Sequence, residues 1–340
     1  MILTLTANPS IDRTVELALP LARGAVQRAS GAAQEAGGKG VNVSRALTVS
    51  AVPSLALLPG DDGDPVLAGL RDAGVPYRNL IIGMPLRINT ALTEPDGTTT
   101  KINEPGPTLD PDQVEALLAL VVSESEGAQW LVLAGSLPPG VPPDFYTTVV
   151  AAVRDRYGAA APLIAVDSSG LPLAEAAGGQ SPPDLLKPNA EELAELSGVG
   201  NGDALEKDPG LAARACGVLV SAGVGAVLAT LGSRGALLVT SRGAWHASHP
   251  PVVARSTVGA GDSALAGYLL AHGAGELPEN CLRQAVAHGS AAASLPGSAV
   301  PSLAQTTPAA VTVTKLSAVF PVTDRSATAP PATPFAQEEV

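Results

Sequence analysis

Ser256-Thr257-Val258-Gly259-Ala260-Gly261-Asp262-Ser263, followed by the apolar run Ala264 to Ala271, is the stretch that organises the rest of this chain. Small residues let backbone N–H groups crowd towards one point at a helix amino terminus, where the helix dipole favours negative charge. That point is an anion site. A carboxylate placed there repels the phosphate that the amides attract, so Asp262 needs a reason to be present. One reason is chemical: Asp262 takes a proton from a hydroxyl while the amides of Gly259, Ala260 and Gly261 hold a phosphoryl group in transfer. The other is structural, because acidic residues in first turns favour helix starts. The stretch by itself leaves both open.

Two further glycine-rich or capped joins lie upstream. Ala36-Gly37-Gly38-Lys39-Gly40-Val41-Asn42-Val43 leads into a helix at Ser44 to Leu47. It lacks the spacing of the phosphate loop of nucleotide hydrolases. Its glycines still permit close backbone approach, Lys39 offers a point charge, and Asn42 offers both a donor and an acceptor. Helix entry alone also explains such a turn. In Leu185-Leu186-Lys187-Pro188-Asn189-Ala190-Glu191-Glu192, Asn189 suits an N-cap and Glu192 the matching capping-box position. The competing reading has both organise water around a magnesium ion carried by nucleotide phosphates.

The chain has 340 residues, a formal net charge of −12 and two cysteines. This suits an α/β enzyme and, with no run of Lys and Arg, argues against nucleic acid and anionic membrane as partners. Cys216 and Cys281 have no metal-ligand spacing around them and read as buried small apolar residues in a reducing compartment. The amino terminus MILTLTANPS carries no basic region before its apolar stretch, and no uninterrupted apolar run is long enough to span a bilayer. A cytoplasmic location is the expectation.

In chain order, Ile2 to Thr6 reads as a strand, with Asp12 just beyond its carboxyl end as a candidate for sugar hydroxyls or as a solvated turn residue. Residues 13–35 form a broken, β-like flap. Arg87 to Thr93 and Thr98 to Asn103 flank Glu94-Pro95-Asp96-Gly97, a hairpin signal. These polar strands could pair with the flap as a lid, with Arg87 on a substrate phosphate and Asn103 on hydroxyls. From Asp110 onwards strands and helices alternate, which predicts parallel strands joined by helical crossovers and a sheet covered on both faces. Strands at Val227 to Leu231 and Ala236 to Val239 surround Gly232-Ser233-Arg234-Gly235, whose small residues could border a purine. Beyond Leu316 the Pro, Thr, Ala and Ser content predicts a disordered tail over 317–340.

GGKGVNVSRAL and STVGAGDSALAGYL resemble the two signatures of the ribokinase-like PfkB family of carbohydrate kinases. Between them LAGSLPPGV, VDSSG and LLKPNAEEL resemble its phosphosugar branch, while TKINEPGP and SLPGSAVPS are most similar to bacterial 1-phosphofructokinases. The resemblance covers residues 1–316. It implies an α/β fold, a doubly wound, mainly parallel sheet with helices on both faces, and a small β lid from residues 13–35 and 87–104. It implies ATP-dependent phosphorylation of fructose 1-phosphate at the 6-hydroxyl, with fructose 6-phosphate and tagatose 6-phosphate as alternatives and a non-catalytic sensor as a distant one. By matching positions, Asp262 would be the base and Gly259, Ala260 and Gly261 the anion hole. Asp12, Gly38, Lys39, Asn42, Asn103 and Ser136 would bind the phosphosugar, with Arg87 on its phosphate. Lys187, Asn189, Thr230, Gly232, Gly235 and Thr257 would face ATP, and Glu192 its Mg2+. A monovalent cation such as K+ near the anion hole and a homodimer joined through the lid belong to the same set of implications.

Overall fold

The computed structural model describes residues 1–316, so the expected tail lies outside the described residues. A ten-stranded sheet forms the centre. Its parallel part contains β1 (Ile2–Thr6), β4 (Ser54–Pro59), β5 (Tyr77–Leu80), β8 (Trp130–Ala134), β9 (Leu163–Asp167), β10 (Leu185–Leu186) and β11 (Ala226–Thr230). Antiparallel β12 (Ala236–Thr240), β13 (Gly243–Ser248) and β14 (Thr312–Leu316) extend one side. The spatial order is β14-β13-β12-β11-β10-β9-β8-β1-β4-β5. A sheet buried on both faces needs strands apolar on both sides, and the sequence supplies them. Leu3, Leu5, Leu131 and Leu133 enter one core, and Ile2, Trp130 and Val132 the other.

Ten helices among the described residues cover this sheet. On one face lie α1 (Lys39–Val49), α9 (Ala260–Gly273) and α10 (Pro278–Ala293), which contribute Val43, Leu47, Leu265, Leu269, Leu282 and Val286 to one core. On the other lie α2 (Pro65–Asp72), α3 (Pro111–Glu124), α4 (Phe145–Tyr157), α5 (Gly170–Gly178), α6 (Ala190–Ser197), α7 (Gly202–Lys207) and α8 (Pro209–Ser221). Sequence reasoning found the alternation but left β5, α5, α7, α8 and β14 unassigned.

A second sheet has four strands in the order β3-β2-β6-β7: β3 (Ala29–Gly37), β2 (Ser10–Leu17), β6 (Arg87–Thr93) and β7 (Thr99–Ile102). This is the expected lid, with one correction. Asp12 lies within β2, so it is a lid residue rather than a turn residue at the end of β1. Register then explains its neighbours. Ser10 pairs with Arg87 and Asp12 with Asn89, and side chains two apart in a strand share a face. Ser10, Asp12, Arg87 and Asn89 therefore line one side of the lid.

Two of the lid's connections to the core pass through Gly38, with φ of 114°, and Gly106, with φ of 92°. Two residues past the first of these joints, Gly40 lets α1 press against β1: a Cβ there would sit 2.8 Å from the Leu5 carbonyl oxygen and would overlap the Thr6 hydroxyl. Gly40→Ala should lower stability by about 1–3 kcal/mol through overpacking, outweighing alanine's helix preference. Urea unfolding measures this; an unchanged midpoint would show that α1 does not need the close approach.

Candidate active site

The carboxyl ends of the parallel strands meet the amino ends of α1 and α9, the edge where open α/β sheets gather ligands. Gly259 caps α9 in the left-handed region with φ of 74°, and Asp262 follows in the first turn, only 7 % exposed. Asn42, on the buried side of α1, donates from Nδ2 to Asp262 Oδ2 at 2.8 Å. The two glycine-rich turns, 220 residues apart in sequence, thus converge on one carboxylate. Lys187 Nζ lies 3.3 Å from where a Cβ on Gly261 would stand, so the absence of a side chain at Gly261 lets an ammonium approach the helix terminus.

Asp167, at the end of β9 and wholly buried, holds the cations in place. Lys39 donates to Asp167 Oδ1 at 2.7 Å, and Lys187 Nζ lies 3.0 Å from Oδ2 as an ion pair without hydrogen-bond alignment. Burial opposes the charge on Asp167, but Lys187 and Lys39 outweigh it and hold the carboxyl below its ordinary value. Burial likewise opposes the charge on Lys39, yet Asp167 prevails and raises its pKa. Asp262 behaves oppositely. Burial, reinforced by the charge of Asp167, pushes it up to about 6 against the pull of Asn42, Lys187 and Lys39. A carboxyl with that pKa can both accept and release a proton near neutrality.

Sequence reasoning did not single out Asp167 as a site residue. Its signal was an acid closing the apolar strand Leu163 to Val166, in the VDSSG segment already noted.

The lid face supplies a second polar cluster. Asp12 Oδ1 accepts from Ser10 Oγ at 2.7 Å and Asn89 Nδ2 at 3.1 Å. Arg87 donates to the carbonyl oxygens of Asn8 and Glu104 at 2.9 and 3.0 Å, and to Ser136 Oγ at 3.3 Å. Burial lowers its pKa, with Asp12 and Glu104 opposing. Arg87 Nε, Asn8 Oδ1 and Asn89 Oδ1 are buried without a protein partner. Such groups are costly unless something else satisfies them, and donors mixed with acceptors suit a hydroxylated, anionic molecule. Asn8, Ser10 and Asn89 were absent from the sequence-based set. Strand register places Ser10 and Asn89 beside Asp12 and Arg87, and folding brings Asn8 Nδ2 to Ser136 Oγ at 3.4 Å; neither is visible along the chain.

The remaining expected positions are less concentrated. Asn103 is exposed just past the end of β7. Thr230 ends β11 and bridges Asn189 through the backbone. Gly232 and Gly235 bracket a 3-10 turn, and Thr257 is exposed ahead of α9. Asn189 and Glu192 form both bonds of a capping box, each at 2.8 Å. Capping uses Glu192 Oε2, leaving Oε1 for another role, and Glu192 lies near enough to Lys39 to strengthen its charge. No three His, Cys, Asp or Glu side chains cluster as a metal site among the described residues. One available carboxylate oxygen is nevertheless enough for magnesium that keeps waters and takes phosphate oxygens. An apolar cleft of about 540 Å3 between α5, α6 and α8 shares only Glu192 with these residues.

Comparisons with known proteins agree with this geometry. The chain is 34% identical over 296 residues to 1-phosphofructokinase of Bacillus subtilis, covering 86% of this chain and 92% of that protein. It is 35% identical over 272 residues to an ATP-dependent 6-phosphofructokinase isozyme 2 of Mycobacterium tuberculosis, covering 78% and 76%. Among solved structures, Escherichia coli phosphofructokinase-2 in complex with potassium superposes with a TM-score of 0.79 at 30% identity, covering 89% of this chain and 96% of that one. The family described as pfkB family carbohydrate kinase matches residues 5–305, and with the ribokinase-like sheet, its lid and a buried acid at a helix terminus, the chain belongs to that family.

Proposed function

We propose that this kinase transfers the γ-phosphoryl group of ATP to the 6-hydroxyl of fructose 1-phosphate, giving fructose 1,6-bisphosphate and ADP. The observation that carries this reading is the position of Asp262: a buried carboxyl with a raised pKa, beside two lysines, at the amino end of α9. In the proposed step, Asp262 removes the hydroxyl proton as the oxygen forms a bond to the γ-phosphorus. The bond from that phosphorus to the bridging oxygen breaks, its electron pair leaves with ADP, and the proton stays on Asp262. The amides of Gly259, Ala260 and Gly261, with Lys187, face the transferred group and balance its charge.

Fructose 1-phosphate is favoured by the TKINEPGP and SLPGSAVPS segments and by the identity to 1-phosphofructokinase across most of both chains. Fructose 6-phosphate or tagatose 6-phosphate is the second reading, supported by the comparable identity to the isozyme 2 protein. In either case Asp12, Gly38, Lys39, Asn42, Asn103 and Ser136 take the sugar, with Arg87 on its phosphate. Lys187, Asn189, Thr230, Gly232, Gly235 and Thr257 take the nucleotide. Magnesium bound with ATP would supply charge neutralisation, and Glu192 would hold its waters. A K+ site near the anion hole belongs to the same reading, and the potassium complex of the Escherichia coli protein supports a monovalent cation in this family. The exposed lid residues Val26, Ile88 and Ile102 suit a homodimer formed through the lid. The two free, buried cysteines suit a reducing, cytoplasmic setting.

Coupled ADP-release assays should show fructose 1-phosphate with the highest kcat/KM of the three phosphosugars; preference for another would move the assignment to it. Asp262→Asn should lower kcat roughly 10²–10⁴-fold while ATP binding stays within about twofold, and a variant retaining near-normal turnover would remove Asp262 as the base. Arg87→Ala should raise the phosphosugar KM by roughly 10- to 100-fold, the loss expected for a hydrogen bond from a charged donor. An unchanged KM would detach Arg87 from the substrate. In 13C NMR of the free protein, one aspartate carboxyl should titrate near pH 6 and vanish in Asp262→Asn. Being protonated below that pH, the base should lose activity as pH falls through it.

A further inference from the structure

Arg45 stands three residues after Asn42, on the same side of α1, and its side chain is only 15% exposed. Its guanidinium reaches three separate parts of the molecule. Nη1 donates to the Asn42 Oδ1 and Ala36 carbonyl oxygens at 3.4 Å and to the Ser298 carbonyl oxygen at 3.3 Å. Nη2 donates to Glu35 Oε2 at 3.4 Å, and Ser298 Oγ donates to the same carboxylate oxygen. Glu35 and Ala36 belong to lid strand β3, Asn42 to α1, and Ser298 to the segment after α10.

The Asn42 amide has two faces of opposite polarity. With Nδ2 donating to Asp262, Oδ1 is left facing Arg45. Turning the amide over would set an oxygen against the Asp262 carboxylate and an NH2 group against the guanidinium, making both contacts repulsive. Arg45 therefore selects the orientation in which Asn42 donates to the acid. Glu35 adds the reason for a charge at this point. It lies directly opposite Asp12 across the β2–β3 pair, and like charges so placed repel. Arg45 offsets that repulsion from the α1 side.

Resting on the kinase reading of Asp262, we propose that Arg45 is a positioning residue that fixes the Asn42 amide for Asp262 and, through Glu35, ties that setting to the lid strand. Arg45 makes no hydrogen bond to Asp262 itself; it acts through Asn42. The groups that bear on Asp262 are Lys39 and Asn42 from α1, Asp167 from β9 and Lys187 from the loop after β10. On the far side of α9, α10 presents His288 to Gly267 rather than to the acid. Of these, only Asn42 has its polarity set by Arg45, so loss of Arg45 should weaken donation to Asp262 and make its carboxylate harder to form.

The test is a double-mutant cycle with two readouts: kcat on the phosphosugar that the wild type turns over, and 13C titration of the Asp262 carboxyl in the substrate-free protein. Arg45→Met should lower kcat about tenfold with the ATP KM within twofold, and should move the titration to higher pH. In an Asn42→Ala background, Arg45→Met should change neither readout by more than about twofold or 0.3 pH. Equal effects in both backgrounds would show that Arg45 does not work through Asn42 and would overturn the proposal. Should Arg45→Met fail to fold, Arg45→Leu, which likewise has no donor, enters the same cycle with the same expectations. Glu35→Gln should shift both readouts in the same direction by less, and no shift would refute the link to the lid. If the wild type phosphorylates no phosphosugar, the functional reading fails, whereas the titration still decides the role of Arg45.

Discussion

A single buried carboxylate held between two ammonium groups organises this site. Asp167 carries no exposed surface, and only the approach of Lys39 from α1 and Lys187 from the loop after β10 makes its charge tolerable. The pairing acts in reverse as well, because Asp167 offsets the cost of burying the Lys39 ammonium. The resulting trio fixes α1, β9 and the entry to α6 relative to one another and carries one net positive charge. Asp262 brings the local sum to zero when ionised. Under the proposed function, taking up a proton returns the site to net positive charge as the phosphoryl group is transferred, so the proposed acid-base and electrostatic roles reinforce each other.

How much of this could be read from the chain depended on distance along it. The helix-entry join at Gly259 to Asp262 and the turn at Gly38 to Asn42 were legible because each element's signal lies within a few consecutive residues. The strand and helix alternation after Asp110 was legible for the same reason. Asp12 was misplaced because the strand beginning at Ser10 follows β1 after only three residues, and a turn signal at Asn8-Pro9 looks the same whether the chain ends a sheet or enters another. Asp167, Asn8 and Asn89 acquire meaning only from partners far away in sequence. A lone acid at a strand end and a lone asparagine in a polar strand are ordinary until register and packing assign their neighbours.

Asn189 and Glu192 illustrate a different limit. Capping and metal support were competing readings of one sequence pattern, and the capping bonds are both present. They occupy one carboxylate oxygen and leave the other, so the helix start and the proposed magnesium support can coexist. A motif can satisfy a local structural need and still present the remaining atoms to a ligand.

Two of the lid's joints, Gly38 and Gly106, carry a consequence for the drift of such sequences over generations. A Cβ at Gly38 would collide with Thr6, and one at Gly106 with Asn8, while both backbones sit in a region that other residues rarely adopt. Most single-nucleotide changes there would add bulk and torsional strain together, so the polar lid strands can diversify while these two glycines stay fixed. New sugar preferences in relatives of this chain should therefore arise from substitutions on the strands and not from altered attachment.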